Sequence, residues 1–176
     1  MNSPNPTGWK ARLAALVVRW KSRQWRESSR QLTFPIPGER VHRVLAVLPG
    51  QLENLDRATA FVYRLRQVYP EWKIDLFDPD KIPEQETGFT GLPKKPFLDQ
   101  LRQEGYELVI NLSAGGDLYR NYLVLASGAP YRLALFTDAD PFYNITCLVG
   151  QDGVDYEKLL GAIQQLFLTS SVQVAN

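Results

Sequence analysis

Cysteine, histidine and long apolar runs are scarce in this chain, and each shortage excludes a class of function. The one cysteine, Cys147, has no second cysteine to pair with, so nothing points to an oxidising compartment and a reduced, cytoplasmic setting is expected. The one histidine, His42, stands just before the first apolar run, far from any cysteine. It cannot build a zinc site or activate Cys147 as a nucleophile, and it reads as an edge or surface residue. No metal and no cofactor are expected. No stretch approaches the roughly 20 apolar residues that cross a bilayer. Arg19, Lys21, Arg23 and Arg26 follow directly on a short apolar segment without a small-residue cleavage site, so no secretory signal is expected either. The glycine-bearing stretch Ser113-Ala114-Gly115-Gly116-Asp117 lacks Gly-x-Gly-x-x-Gly spacing and the phosphate-loop Lys-Ser/Thr pair, and there is no internal repeat.

What the chain does have is enough length, 176 residues, to close one hydrophobic core without disulfides or metal. A net charge of +1 hides an asymmetry. Residues 9–30 carry seven basic side chains against Glu27 alone, a balance of +6, which leaves −5 on the remainder. A basic arm beside an acidic body can dock on its own domain or on an anionic partner.

Residues 1–8, rich in Ser, Asn, Pro and Gly, read as a disordered tip. Residues 9–38 read as a helical arm and linker. Leu13, Leu16, Val17 and Trp20 repeat at helical spacing, most basic residues lie elsewhere on the circumference, and Pro35 and Pro37-Gly38 end the regular structure. Residues 39–176 read as the domain proper. Strand-like runs are Arg43–Leu48, Lys73–Phe77, Glu107–Leu112, Tyr131–Phe136 and Ile145–Val149. They alternate with helical patterns at Leu55–Val68, around Leu98 and Leu101, at Leu118–Ala126 and at Tyr156–Leu168. The alternation predicts a Rossmann-like three-layer α/β domain with a mainly parallel five-stranded sheet, preceded by a basic amphipathic helix.

Two stretches carry a family likeness. RVLAVLPGQLENLDRATAFVYRLRQVYPEWKIDLF (residues 43–77) and YELVINLSAGGDLYRNYLVLASGAPYRLALF (residues 106–136) together resemble the acceptor-side half of family 9, heptosyltransferase-like glycosyltransferases. In that family a Gly-x-x-Gly-Asp loop follows the first strand, and its aspartate is thought to deprotonate the acceptor hydroxyl. Here the stretch is Gly50-Gln51-Leu52-Glu53-Asn54. An asparagine amide has no useful basicity near neutral pH, so Asn54 cannot act as that base. Glu53 or Asp56 would serve only with a shifted register, and acids at a helix start ordinarily complement the helix dipole. The family also binds its donor through a second Rossmann-like domain, for which these residues leave no room. The resemblance therefore implies a binding or assembly subunit with no catalytic residues, and as its alternative the acceptor half of a split enzyme completed by another chain.

Ligand-binding candidates are Gly50 and Asn54 after the first strand and Ser113, Gly115 and Gly116 after the third. The two loops are expected side by side where open α/β sheets bind ligands. Ser113-Ala114-Gly115-Gly116-Asp117 could cradle a phosphate, although a turn capped by Asp117 is the commoner use of such a segment. In TDADPFYN, Asp138, Asp140, Tyr143 and Asn144 offer too few converging ligands for a cation and read as a turn. Partner-docking candidates are Trp9, Arg12, Leu13, Leu16, Arg19, Trp20, Arg23 and Trp25. The expected partner is a macromolecule, a protein first, with RNA or an anionic membrane surface as alternatives that would place the protein peripherally on a membrane. The amphipathic pattern leaves open whether the helix packs on its own domain instead.

Overall fold

Short runs of β-branched and apolar residues, each closed by a turn and followed by a helical repeat, build a parallel sheet covered on both faces. A computed structural model describes residues 8–26, 32–50, 52–114, 117–136, 142–148 and 155–168. The described strands are β1 (Ile36–Pro37), β2 (Arg43–Val47), β3 (Lys73–Phe77), β4 (Leu108–Ala114), β5 (Tyr131–Phe136), β6 (Ile145–Leu148) and β7 (Phe167–Leu168). The α-helices are α1 (Trp9–Arg26), α2 (Leu52–Val68), α3 (Lys95–Gln103), α4 (Leu118–Ala126) and α5 (Tyr156–Leu166). The main sheet has the order β3-β2-β4-β5-β6, and every neighbouring pair in it is parallel. It is the five-stranded Rossmann-like architecture that the alternation predicts. Chain order reverses direction across the sheet between β2 and β4, and such a switch point opens a crevice at the carboxyl ends of the strands.

Two apolar clusters sandwich the sheet. On one face Val44, Ala46, Leu108 and Ile110 meet Ala58, Phe61, Val62 and Leu65 of α2 and Leu159 and Ile163 of α5. On the other, Leu45, Val47 and Val109 meet Leu98 and Leu101 of α3, most of α4, and Ala14 and Val18 of α1. Every residue of α4 from Tyr119 to Ala126 is buried. A helix buried all round needs cover on both sides; the sheet supplies one side, and α1 and α3 pack on α4 from the other.

α1 packs on its own domain, a possibility the amphipathic pattern leaves open, and of the four apolar residues at helical spacing only Val17 turns towards it. Ala14 and Val18 are buried and Val17 is partly so, while Leu13, Leu16 and Trp20 are exposed. Small side chains let two helices approach closely, which larger ones at the same positions would prevent. The side chains of Arg23 and Trp25 lie outside the described residues, as do residues 1–7.

The stretch read as a linker holds the two ends of the fold together. β1 pairs with β7 in parallel, Ile36 with Phe167 and Pro37 with Leu168, so the helix expected to run to Leu168 ends at Leu166. The Tyr-Pro turn after α2 fastens this junction. Tyr69 stacks on Trp72 at 3.9 Å, the Tyr69 hydroxyl donates to the Phe167 carbonyl at 2.6 Å, and Trp72 Nε1 donates to the Gly38 carbonyl at 3.2 Å. An added Cβ on Gly38 would lie 2.5 Å from the Leu168 carbonyl oxygen, which is why glycine stands there.

Candidate functional site

The chain leaves β2 through Leu48-Pro49-Gly50, and α2 begins at Leu52. Asn54 is therefore in the first turn of α2 rather than in a loop. Across the switch point, β4 runs through Asn111 to Ala114 with a shift of register between those two residues. A bulge frees backbone groups from the ladder. Asn111 Oδ1 answers one of them by accepting from the Ser113 amide at 3.1 Å. Gly115 and Gly116 lie outside the described residues, and α4 starts at Leu118 with Asp117 as its cap, Oδ1 accepting from the Tyr119 amide at 2.8 Å.

One arginine from α4 crosses this crevice. Arg120, 6% exposed, donates through Nε to the Leu48 carbonyl at 3.2 Å and through Nη2 to Asp80 Oδ2 at 2.8 Å. Its Nη1 pairs with Asp117 Oδ2. Asp80 arrives from the turn after β3, where Asp78 Oδ1 accepts from the Asp80 amide at 3.1 Å. Gly50 leaves the space the guanidinium fills: an added Cβ would lie 2.7 Å from Arg120 Nη2 and 2.8 Å from Asp80 Oδ2. Burial is the largest single influence on Arg120 and lowers its pKa, but Asp117 and Asp80 together outweigh it and leave the pKa raised.

The three side chains sum to one negative charge, which disfavours a phosphate or nucleotide beside them. The arrangement is an ion-pair lock joining the ends of β2, β3 and α4. Two hydroxyls near it are buried without a hydrogen-bond partner among the described residues, Ser113 Oγ and Tyr119 OH. Burial first, then Asp80 and Asp117, push the Tyr119 pKa up to about 12, so this phenol stays neutral at any physiological pH.

The remaining polar candidates serve the fold. Tyr143 OH accepts from Asn111 Nδ2 and donates to Asn121 Oδ1, both at 2.7 Å. It thereby ties the connection between β5 and β6 to β4 and α4 inside the core. Asn144 Oδ1 accepts from the Arg132 amide at 2.8 Å, and its Nδ2 donates to the Pro130 carbonyl at 2.7 Å. Arg132 is buried, donates to the carbonyls of Phe142 and Ala129, and has its pKa lowered by that burial. Asp138 and Asp140 lie outside the described residues. His42 is exposed, and Glu107 binds its backbone amide at 2.9 Å. Burial raises the pKa of Cys147, the direction opposite to that of an activated thiol.

Among the described residues no group of acidic, His and Cys side chains converges on a metal position, and no helix is long and apolar enough to cross a membrane. A cleft of about 220 Å³ between α2 and α5 is lined by Arg57, Arg64, Asp155, Tyr156 and Glu157 among others. Arg64 pairs with Glu157 and Arg57 lies over the Tyr156 ring, so internal partners already take up the charges there.

The sequence reading missed Asp80 and Arg120, although a signal was present. An arginine within LYRNYLVLA, a segment otherwise suited to complete burial, requires an acid from elsewhere in the fold. Compared with models of protein families and with curated protein sequences, the chain matches none.

Proposed function

We propose that the chain is a non-catalytic, glycosyltransferase-like domain that acts as a binding or assembly subunit, with α1 as its docking element. The observation that carries this reading is the lock at the switch point. Arg120, held by Leu48, Asp80 and Asp117, fills the place where an open α/β sheet would receive a ligand. Asn54, at the position where the family resemblance expects a base, adds a second reason, since an amide cannot take up the acceptor proton. The docking role of α1 rests on its exposed outer face of Leu13, Leu16 and Trp20.

The test is direct. The purified chain, incubated with nucleotide sugars and sugar acceptors, is expected to transfer nothing and to show no change in thermal unfolding with the nucleotides; transfer by the chain alone would refute the proposal. A second reading, the acceptor-binding half of a split glycosyltransferase, is favoured by the hydroxyls of Ser113 and Tyr119 near the crevice, which have no hydrogen-bond partner among the described residues and which an acceptor's hydroxyls could satisfy. Transfer that requires a second Rossmann-like chain would establish it.

A further inference from the structure

The geometry of α1 assigns its outer face to an anionic lipid surface, on which the helix lies in the membrane plane and carries the α/β domain above it. The assignment rests on α1 being a docking element and names what it docks on. With Ala14, Val17 and Val18 turned to the domain, a second apolar stripe remains at spacings of four, three and four residues: Trp9, Leu13, Leu16 and Trp20. These side chains are 58%, 41%, 62% and 62% exposed. Phe89, 72% exposed in the connection between β3 and α3, extends the stripe, its ring centroid 5.6 Å from that of Trp9. At 1.5 Å per residue the helical part is about 16 Å long.

Charge decides among occupants. Arg12 and Arg19, both exposed, are seven residues apart and flank the stripe on one side. Trp9–Arg26 contains no acidic residue at all. An apolar stripe bearing tryptophans and edged by arginines matches the boundary between acyl chains and anionic headgroups, where indole sits favourably and each basic residue is attracted by the surface potential. The negative balance of the rest of the chain orients the domain away from that surface. A helical protein partner would have to accommodate two tryptophans at seam positions, which holds paired helices apart. RNA would stack on the tryptophans but leave Leu13 and Leu16 without a role.

The experiment uses the full chain with vesicles of phosphatidylcholine, with and without phosphatidylglycerol. Wild type is expected to co-sediment with the anionic vesicles, to bind the neutral ones at least about tenfold more weakly, and to be released in part by salt. Two double variants, Leu16→Ser with Trp20→Ser and Arg12→Glu with Arg19→Glu, are each expected to lose about tenfold or more in anionic binding while unfolding at the wild-type temperature, because the altered side chains lie outside the core. No binding to anionic vesicles, equal binding to neutral ones, wild-type binding by either variant, or tighter binding to single-stranded RNA would each overturn the lipid assignment. Loss of a protein partner by the same variants without any vesicle binding would also overturn it but leave the docking role intact. Sugar transfer by the chain alone would remove the non-catalytic reading without touching the vesicle result.

Discussion

Replacing Arg120 with methionine keeps most of the volume of the side chain but removes its charge and three donor groups. The Leu48 carbonyl and the carboxylates of Asp80 and Asp117 are then left with no donor between them. Breaking a fully buried ion pair from one side costs about 3–5 kcal/mol. Here the carboxylate side chains keep 28% and 25% of their surface in water, which screens part of that penalty. The expected loss is therefore about 2–3 kcal/mol. Urea unfolding followed by far-ultraviolet circular dichroism measures it as a lower midpoint at unchanged slope. Adding Asp80→Asn and Asp117→Asn to Arg120→Met removes the like-charge contact and should recover at least about 1 kcal/mol. If Arg120→Met costs less than about 0.5 kcal/mol, or if the triple variant is no better than the single one, Arg120 does not organise the switch point and the argument for a locked crevice fails.

Four further outcomes follow from contacts of other kinds. Tyr143→Phe takes a shared partner from Asn111 and Asn121 within the core and should cost about 1–3 kcal/mol in the same unfolding assay, with little change in the circular dichroism of the folded state. Gly50→Ala forces the Arg120 guanidinium or the Asp80 carboxylate aside and should cost about 1 kcal/mol, since the crowded atoms are the ends of side chains that can shift. Tyr69, Tyr106 and Tyr119 all have pKa values pushed up to about 12, by burial before any other cause. Their raised values give stability that is complete below the ordinary tyrosine value of about 10 and lost as pH rises from there towards 12, so the urea midpoint should fall across that window as tyrosinate absorbance grows. Backbone and side-chain hydrogen bonding with Lys158 holds the Asp155 carboxyl below the usual carboxylate range. Its cap on α5 therefore stabilises above that range and is lost as pH falls through the depressed value, and Asp155→Ala should flatten the acid limb of the stability profile.

The strands and most helices were legible because short apolar runs closed by turn residues alternate along the chain with apolar residues repeating at helical period. The segment Leu118–Ala126 was bounded correctly since Asp117 and Ser127-Gly128 punctuate it on either side. The contact face of α1 was not legible, because the helical spacing of Leu13, Leu16, Val17 and Trp20 left open which surface they cover, and close packing on α4 selected the small residues Ala14 and Val18 instead. The pairing of β1 with β7 joins two-residue strands about 130 positions apart, too short for any period to register. At the switch point, Gly50 and Asp117 were visible as a turn and a cap. Asp80 was not, because its contact with Arg120 spans 40 residues and is fixed only once β3 is placed beside β2.

The packing of α1 on α4 bears on how the chain works. A wholly buried α4 and an outer helix without acidic residues each make sense only through the other. α4 carries Tyr119, Arg120, Asn121 and Tyr122 on one short buried segment, and of these Arg120 is matched by the lock and Asn121 by Tyr143. It can be buried on its outer side only if another element covers it, and α1 provides part of that cover with Ala14 and Val18. A helix with no acidic residue in its first turn lacks the usual stabilisation of that end of its dipole, and with none anywhere in Trp9–Arg26 it has no acid–base pairs along its length. Its order has to come from tertiary packing, which α4 supplies. The exposed tryptophans and arginines are thereby held on one outward face before any partner arrives, so binding does not have to pay the entropy of folding the helix. A polar substitution on the inner face, such as Val18→Asp, should then weaken the fold and the outer-face binding together, whereas Leu16→Ser with Trp20→Ser should weaken the binding alone. Circular dichroism and vesicle sedimentation on the same two samples separate these outcomes. Retained binding by an unfolded Val18→Asp chain would show that the face needs no domain behind it.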